Sequence, residues 1–583
     1  MEDPDAANGV KFGNAANGVN FEDAAKGVKI GESKEFDFFE ENSGDADLAV
    51  LMHAKALDGS TEPSSFREAM ELPDAEHWLE AIHTEFDALE KCKTWKIVSR
   101  SSVPRGLKIM KTRWVHKRKL EAHGGVRYRS RLVVKGFADN HEYDLSEIYA
   151  PVARLPDVRF ILIAAAKYGL ELAQLDVKAA FLNGFLDKLV YIEVPEGYSE
   201  YLGGNSRLTK NSVCEVHRAL YGLKVSPRRW YERFLQAVDR LGFEAYEFQP
   251  YLFIWRSGNK LAIMLLYVDD ILLASNCGNK LAEVRSLLTK EFSVTDLGSP
   301  RKFLGMEIDR CEDSGTIRLH QRGHIDAMLN KFCPGKIREF KVPLEPGFRD
   351  VSGTASELNE NWNRDDVPYR QAIGTLLYLQ NGTRPDIAYA VNLLSRRQSN
   401  FTEKHWKAVL RVMGYLKATI HLALTFEPQS AGIDCYVDAS LGMNTDDGHS
   451  TTGFIIFLFR CPVSWRAKKQ GHVALSSVEA EFVAMSTACR ELASLRIMCE
   501  KILHLDVLPV IHEYSKPALR LAEVDDSTTF KHLVKLSYLY VREEYKNGNI
   551  QLRWVGTDRQ IADCLTKPLS NGKFIEFRTK FMQ

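Results

Sequence analysis

Apolar residues at Trp78, Ile82, Phe86 and Leu89 recur every three or four positions, the spacing of one helical face, and predict a helix over residues 63–98. The period then changes. KTRWVHKRKL and VRYRSRLVVKGF alternate on either side of His123-Gly124-Gly125, which predicts a β-hairpin. From Pro156, DVRFILIAAAKYGLE predicts a long helix and LAQLDVKAAFL a strand. Another helix is expected within 213–243, beginning after SPRRW. Residues 247–276 predict three strands, turning at Ser257-Gly258-Asn259 and again at Asp269-Asp270. A helix over 280–291 and a hairpin over 303–320 around Asp313-Ser314-Gly315 follow. Residues 341–365 are polar and aperiodic, as in a linker, and 366–419 read as helical. From about residue 430 strands restart with IDCYVDAS, TTGFIIFLF and CPVSWRA. A helix through SSVEAEFVAMSTACRELASLRIM, a strand near 508–513 and a helix near 516–523 complete the alternation, which predicts an α/β domain with a mixed sheet.

Composition changes this picture in two places. The chain has 583 residues, enough for several domains, and its 77 Lys+Arg balance 77 Asp+Glu. The balance hides local excesses. Residues 1–50 hold 12 acidic and 4 basic side chains, a net of −8, around a nine-residue repeat that starts at Asp5, Asn14 and Asp23. Such short Gly-Asn-rich units bury nothing alone, so 1–60 is expected to be a disordered acidic leader, or else a short binding arm. Residues 100–140 hold 12 Lys/Arg against Glu121 and Asp139, a net of +10, with Trp114, Tyr128 and Phe137 interleaved. Charge on an edge hairpin can simply prevent aggregation. This excess goes further and points to a phosphate-contacting surface. The ten cysteines form no CxxC pair, which argues against a zinc ribbon, and their density argues against a disulfide framework. The N-terminal residues show no signal peptide, and no apolar run is long enough to span a bilayer. An intracellular protein, in a cytoplasmic particle or the nucleus and without membrane contact, is expected.

Candidate chemistry centres on Leu266–Ile271, LYVDDI. Asp269 and Asp270 stand between two apolar strands, where ionised neighbours repel and desolvation penalises both. A divalent cation reverses that penalty, as in two-metal phosphoryl transfer. Asp-Asp also occurs in ordinary turns. Asp176, in the apolar QLDVKAAFLNG, supplies a third carboxylate, unless it is a salt-bridged core residue.

RLVVKGF (131–137), YAPVARL (149–155), QLDVKAAFLNG (174–184), VYIEVPEGY (190–198), ALYGLKVSPRRWY (219–231), LYVDDILLAS (266–275) and KFLGMEI (302–308) follow one another in order. Together they resemble the reverse transcriptase of Ty1/copia-type LTR retrotransposons. RPDIAYAVNLLSR (384–396), WRAKKQGHVALSSVEAEF (465–482) and ADCLTKPL (562–569) are similar to the RNase H segment of the same polyproteins. The resemblance spans about residues 63–570 and implies an α+β multidomain chain, with a right-hand polymerase (fingers, palm, thumb-like) followed by an α/β RNase H-like domain. The implied division is a reverse transcriptase at 61–340, a linker and helical connection at 341–430, and an RNase H-like domain at 431–583.

The implied activity is RNA-directed DNA polymerisation. Mg²⁺ or Mn²⁺ would sit on Asp176, Asp269 and Asp270, with Asp270 in a supporting role. The implied partners are an RNA template, a DNA primer, dNTPs and an RNA–DNA hybrid. Tyr221 and Gly222 correspond to the family's nucleotide-pocket turn, where the glycine would let backbone approach substrate. Lys224, Arg129, Arg131 and Lys135 are candidates for template or triphosphate contacts. Two positions depart from the pattern: Val225 replaces a Gln in LKVSPR, and KGFADN lacks its Gln. In the RNase H segment the metal carboxylates would be Asp438, Glu479 and Asp563. Counting back from ALRLAE puts Tyr514 at the position of the fourth carboxylate and Ser515 at the following Asn. Glu513 comes one residue early, and a one-residue shift in a strand points a side chain to the other face. KHLVKLSYLYVRE also carries an extra residue and lacks a His. Impaired RNase H activity is therefore expected. A catalytically inert, transposon-derived nucleic-acid-binding protein is the alternative to the polymerase.

Overall fold

The computed structural model describes residues 62–120, 125–203, 208–348, 362–429, 432–442, 447–523 and 536–583. The acidic leader with its repeats, the tip of the basic hairpin, much of the polar linker and the start of the KHLVK segment lie outside the described residues. The first helical stretch is shorter than its pattern suggests. It forms Phe66–Glu71 and Ala75–Lys91, interrupted at Leu72-Pro73, where proline removes a helix donor. Trp78, Ile82, Phe86 and Leu89 are buried as their spacing requires. The helix does not reach residue 98. Lys93 takes φ +50° and turns the chain, and the β-favouring WKIVS forms a strand, Trp95–Ser99. This strand pairs with Ser212–Arg218 in a four-stranded sheet.

The basic alternation forms one long hairpin, Thr112–Leu120 with Val126–Val134, in continuous register from Thr112↔Val134 to Leu120↔Val126. Beyond it a six-stranded antiparallel sheet runs in the order Val294–Gly298, Glu171–Val177, Asp270–Ser275, Lys260–Tyr267, Leu252–Ser257, Glu244–Ala245. Its central strands are apolar on both faces because both are covered. Leu172, Ile263, Leu265 and Leu272 pack with the Leu155–Tyr168 helix. Ala173, Leu175, Met264 and Leu273 pack with Trp230, Phe234 and Val284, from helices Ser226–Arg240 and Gly278–Glu291. The first of these helices starts at Ser226 and not after SPRRW, because Pro227 suits a first turn whose N–H groups have no intrahelical partner.

The C-terminal part begins with helices Tyr369–Gly382, Ala388–Ser395 and Glu403–Ala418 and continues into a five-stranded mixed sheet. The sheet order is Cys461–Lys469, Thr451–Leu458, Ile433–Ser440, Val510–Glu513, Gln551–Trp554. The first three strands are antiparallel and the last two are parallel to Ile433–Ser440. The Ser477–Leu503 helix packs on this sheet. No helix of the described residues is long and apolar enough to cross a membrane.

The two halves share one core, which runs from Ala153 to Met582. Polar joints reinforce it. The buried Arg159 guanidinium donates to the carbonyls of Val463 at 2.7 Å, Asn381 at 2.8 Å and Gly382 at 2.9 Å, and lies 4.0 Å from the Trp465 ring. Arg154 reaches Glu491 at 3.7 Å on the long C-terminal helix.

Candidate active site

Two separate groups of carboxylates stand out. In the first, strand register makes Asp176 and Asp270 direct cross-strand partners, and Asp269 occupies the turn before Asp270. Like charges directly opposite each other in an antiparallel ladder are unfavourable. The turn is also strained: Val268, a β-branched residue, takes φ +57°. Its carbonyl accepts the Trp230 indole N–H at 2.5 Å, and the Asp269 carbonyl accepts Val177 N–H at 2.8 Å. Helix and strand together therefore fix where the Asp269 side chain starts.

Asp176 and Asp269 open into a cavity of about 750 Å³. The hairpin strand Val126–Val134 and the Ala75–Lys91 helix form its far wall, which includes Arg129 and Glu85. Arg131 bridges the two sides: its guanidinium lies 4.0 Å from the Asp269 carboxylate and 4.7 Å over the Tyr221 ring. Arg129 is solvent-exposed, but into the cavity, so protein surrounds it at longer range. Desolvation and the neighbouring Arg131 lower its pKa. Tyr221 packs edge-on against Phe181 at 4.8 Å, and burial raises its pKa.

Gly222 is needed for packing within the chain itself. At φ +92°, a Cβ there would come 2.0 Å from the Val134 carbonyl, and a Cβ on Gly136 would come 2.0 Å from the Gly222 carbonyl. Val134 N–H donates to the Tyr221 carbonyl at 2.8 Å. The close approach is therefore between two stretches of backbone, which clamps the hairpin's end to the Tyr221 turn. Lys224 points toward the Asp139 carbonyl at 3.4 Å, and neither Lys224 nor Lys135 lines the cavity.

The second group lies on the mixed sheet. Asp438, fully buried at the end of its strand, accepts from the Thr566 hydroxyl and sits 3.5 Å from Lys567 Nζ. Asp563 pairs with Lys567 at 2.8 Å and Lys573 at 3.3 Å. Glu479 is engaged at a helix start. Its carboxylate accepts Leu475 N–H at 2.7 Å while its own N–H donates to Ser476 Oγ at 3.1 Å, so it caps the start of the Ser477–Leu503 helix. The glutamate that faces the group is Glu481, fully buried, with its pKa raised by burial, Glu513 and Asp438.

Glu513 is also on the inside. Alternation along Val510–Glu513 places it on the face of buried Ile511, and burial and Asp438 push its carboxyl up to about 8. The expected reversal of face therefore does not occur. The Ser515 N–H, which donates to Glu513 Oε1 at 2.8 Å, helps to hold this carboxylate near Asp438. Tyr514 sits beside it, its phenol pKa raised by burial, Glu481 and Asp438.

The fit to a cation differs between the groups. As placed, no three His, Cys, Asp or Glu side chains among the described residues converge closely enough to hold an ion. The first group offers hard oxygen donors on two paired strands and the turn before one of them, the donor type Mg²⁺ takes. The second has buried oxygens without a hydrogen-bond donor at full geometry: Asp438 Oδ1, both Glu481 oxygens and Glu513 Oε2. Such orphaned acceptors are what a cation satisfies.

Residues 92–346 match the family model described as reverse transcriptase (RNA-dependent DNA polymerase). The chain is 33% identical over 517 residues to the retrovirus-related Pol polyprotein from transposon TNT 1-94 of Nicotiana tabacum, covering 88% of this chain and 38% of that polyprotein. It is 32% identical over 320 residues to a putative transposon Ty5-1 protein of Saccharomyces cerevisiae, covering 54% of this chain and 100% of that protein. A foamy viral protease-reverse transcriptase in complex with double-stranded DNA aligns with TM-score 0.44 and 12% identity, over 82% of this chain and 69% of that one. The chain thus spans little more than a third of the length of the tobacco polyprotein it matches. It belongs to the Ty1/copia-type retrotransposon Pol family and carries that family's reverse transcriptase region.

Proposed function

We propose that the chain is an RNA-directed DNA polymerase followed by an RNase H-like domain that hydrolyses the RNA of an RNA–DNA hybrid. The hairpin and Ala75–Lys91 helix correspond to fingers, and the six-stranded sheet to the palm. The observation that carries the reading is the cross-strand Asp176–Asp270 pair with Asp269 at the mouth of a cavity whose opposite wall carries Arg127 and Arg129, and with Arg131 4.0 Å from Asp269. Template, primer and dNTP are the polyanions such a cavity suits.

In the proposed reaction the primer 3′-hydroxyl attacks the α-phosphorus of a dNTP and pyrophosphate leaves. Asp176 and Asp269 would hold Mg²⁺ or Mn²⁺, with Asp270 supporting them. The metal, when bound, supplies Lewis-acid chemistry that activates the hydroxyl and neutralises the triphosphate. Arg129 and Arg131, on one face of their strand, bind the triphosphate. Phe181 and the Tyr221 turn form a rigid floor, because the turn is clamped to the hairpin. In the second domain Asp438, Glu481, Glu513 and Asp563 form the candidate carboxylate set. The inward placement of Glu513 favours a working site over an impaired one.

The test is primer extension on poly(rA)–oligo(dT) with Mg²⁺ or Mn²⁺. Incorporation that is lost in Asp269→Asn supports the polymerase. Template binding with no incorporation under either metal would leave only the inert nucleic-acid-binding reading.

A further inference from the structure

Two glutamates in the cavity wall, Glu80 and Glu85, take no part in this chemistry, and Glu85 alone of the two accepts a hydrogen bond from the hairpin backbone among the described residues. Glu85 stands on the Ala75–Lys91 helix, lining the same cavity as Asp176 and Arg129. Its Oε1 accepts Leu132 N–H at 3.2 Å. Leu132 belongs to a strand with a single partner strand, paired at this position with Trp114, so Glu85 takes up a backbone donor on the strand's helix-facing side. Strand period then fixes the neighbours. Arg129 and Arg131 alternate with Leu132, so holding Leu132 sets where both guanidiniums point. Leu132 itself is fully buried, which gives the joint a solid backing.

We propose that Glu85 is a positioning residue for the incoming nucleotide: it fixes the pitch of the basic hairpin and so aims Arg129 and Arg131 at the triphosphate. This rests on the polymerase reading for the identity of the ligand. Electrostatics agree with the geometry. Arg129 and Arg131 repel each other, and Glu85 faces both. Burial raises the Glu85 pKa, while Leu132 N–H, Arg131 and Arg129 pull it back. The hydrogen bond to Leu132 needs only an acceptor oxygen, which a glutamine also offers.

The experiment measures dTTP binding to the full chain on poly(rA) with a dideoxy-terminated primer, so that no turnover is needed. Glu85→Ala should raise the dTTP Kd about tenfold, the scale of one hydrogen bond. Glu85→Gln should stay within about threefold of the parent, because it keeps the acceptor. In steady-state extension, Glu85→Ala should raise KM and leave kcat within about twofold. The triple variant Glu85→Ala/Arg129→Gln/Arg131→Gln should bind dTTP no more weakly than Arg129→Gln/Arg131→Gln, since Glu85 acts through both arginines. If Glu85→Ala does not fold, Glu85→Asp, one methylene shorter, should show an intermediate loss.

An unchanged Kd, a further loss in the triple variant relative to the two arginine substitutions alone, or a fall in kcat at constant KM overturns the assignment. A parent chain that fails to bind dTTP overturns it as well. A chain that binds dTTP in this Glu85-dependent way yet extends no ordinary primer sinks the polymerase reading and leaves Glu85 in place.

Discussion

The two carboxylate groups solve the same electrostatic problem in opposite ways. Asp269 keeps 26% of its side chain exposed to a wide cavity and has Arg131 across from it, whereas Asp438 is 0% exposed and lies among three other acids. The first group is organised by strand register and a strained turn. The second is organised by burial, with Lys567 and Lys573 as counter-charges. Open acids depend on the backbone for their placement; buried acids depend on one another. Substitutions should therefore act locally in the first group and spread through the second.

The strongest way to break the comparison is a reciprocal knockout. Asp269→Asn should lower primer extension about a thousandfold or more and leave hybrid hydrolysis unchanged, and Asp438→Asn should do the reverse. Parallel extension and hydrolysis assays on the same preparations decide it, and a shared loss would mean the sites are not separate. Next in size, Glu481→Gln should lower hybrid hydrolysis about a hundredfold, while Glu479→Ala should retain it and cost about 1 kcal/mol of stability through the lost cap. Hydrolysis rates and denaturant melts of the two variants separate the roles.

This pair also shows what was legible in the chain. LYVDDI and QLDVKAAFLNG stood out because acids interrupted apolar runs, and strand register then paired Asp176 with Asp270. Glu479 and Glu481 are both acids at one helix start, and the motif did not separate them. The discriminating signal was local: Ser476 and Glu479 have capping-box spacing, so Glu479 was already engaged by the helix terminus. Counting back from the downstream helix turns Glu513 away from Asp438, whereas strand alternation from buried Ile511 turns it inward. The end of the first helix was missed for another reason. Period alone does not stop at Lys91; the β-branched WKIVS does.

The basic hairpin and the buried acid group should also differ in the sign of their pH dependence. His116, in the basic hairpin, is buried against Trp78, and desolvation lowers its pKa from 6.5 to about 4. Between those values the unfolded chain binds the extra proton, so His116 contributes stability above pH 6.5 that is lost as the pH falls toward 4. The full effect is about 3 kcal/mol. Glu513 runs the other way: with its folded pKa raised to about 8, its contribution is present below its unfolded value and is lost as the pH rises through 8. Chelator-treated protein melted across this range should lose the acid-side slope in His116→Phe and the alkaline-side slope in Glu513→Gln. The smallest effect concerns salt. Arg129→Gln should reduce the slope of log affinity against log salt by about 1 if it meets a nucleic-acid phosphate, and by none if it meets only the nucleotide. Fluorescence titrations of primer–template at several salt concentrations distinguish the two.

Arg159 holds the two halves together through main-chain oxygens of Val463, Asn381 and Gly382. Carbonyls are the same whatever side chain they accompany. The hydrogen bonds of this joint are thus indifferent to the side chains of Val463 and Asn381, whereas Gly382 has no room for a Cβ beside Gln321 and Trp465 lies against the guanidinium. A fastening of this kind tolerates substitution unequally: its donor and its ring are fixed, and only part of its acceptor side is open to change.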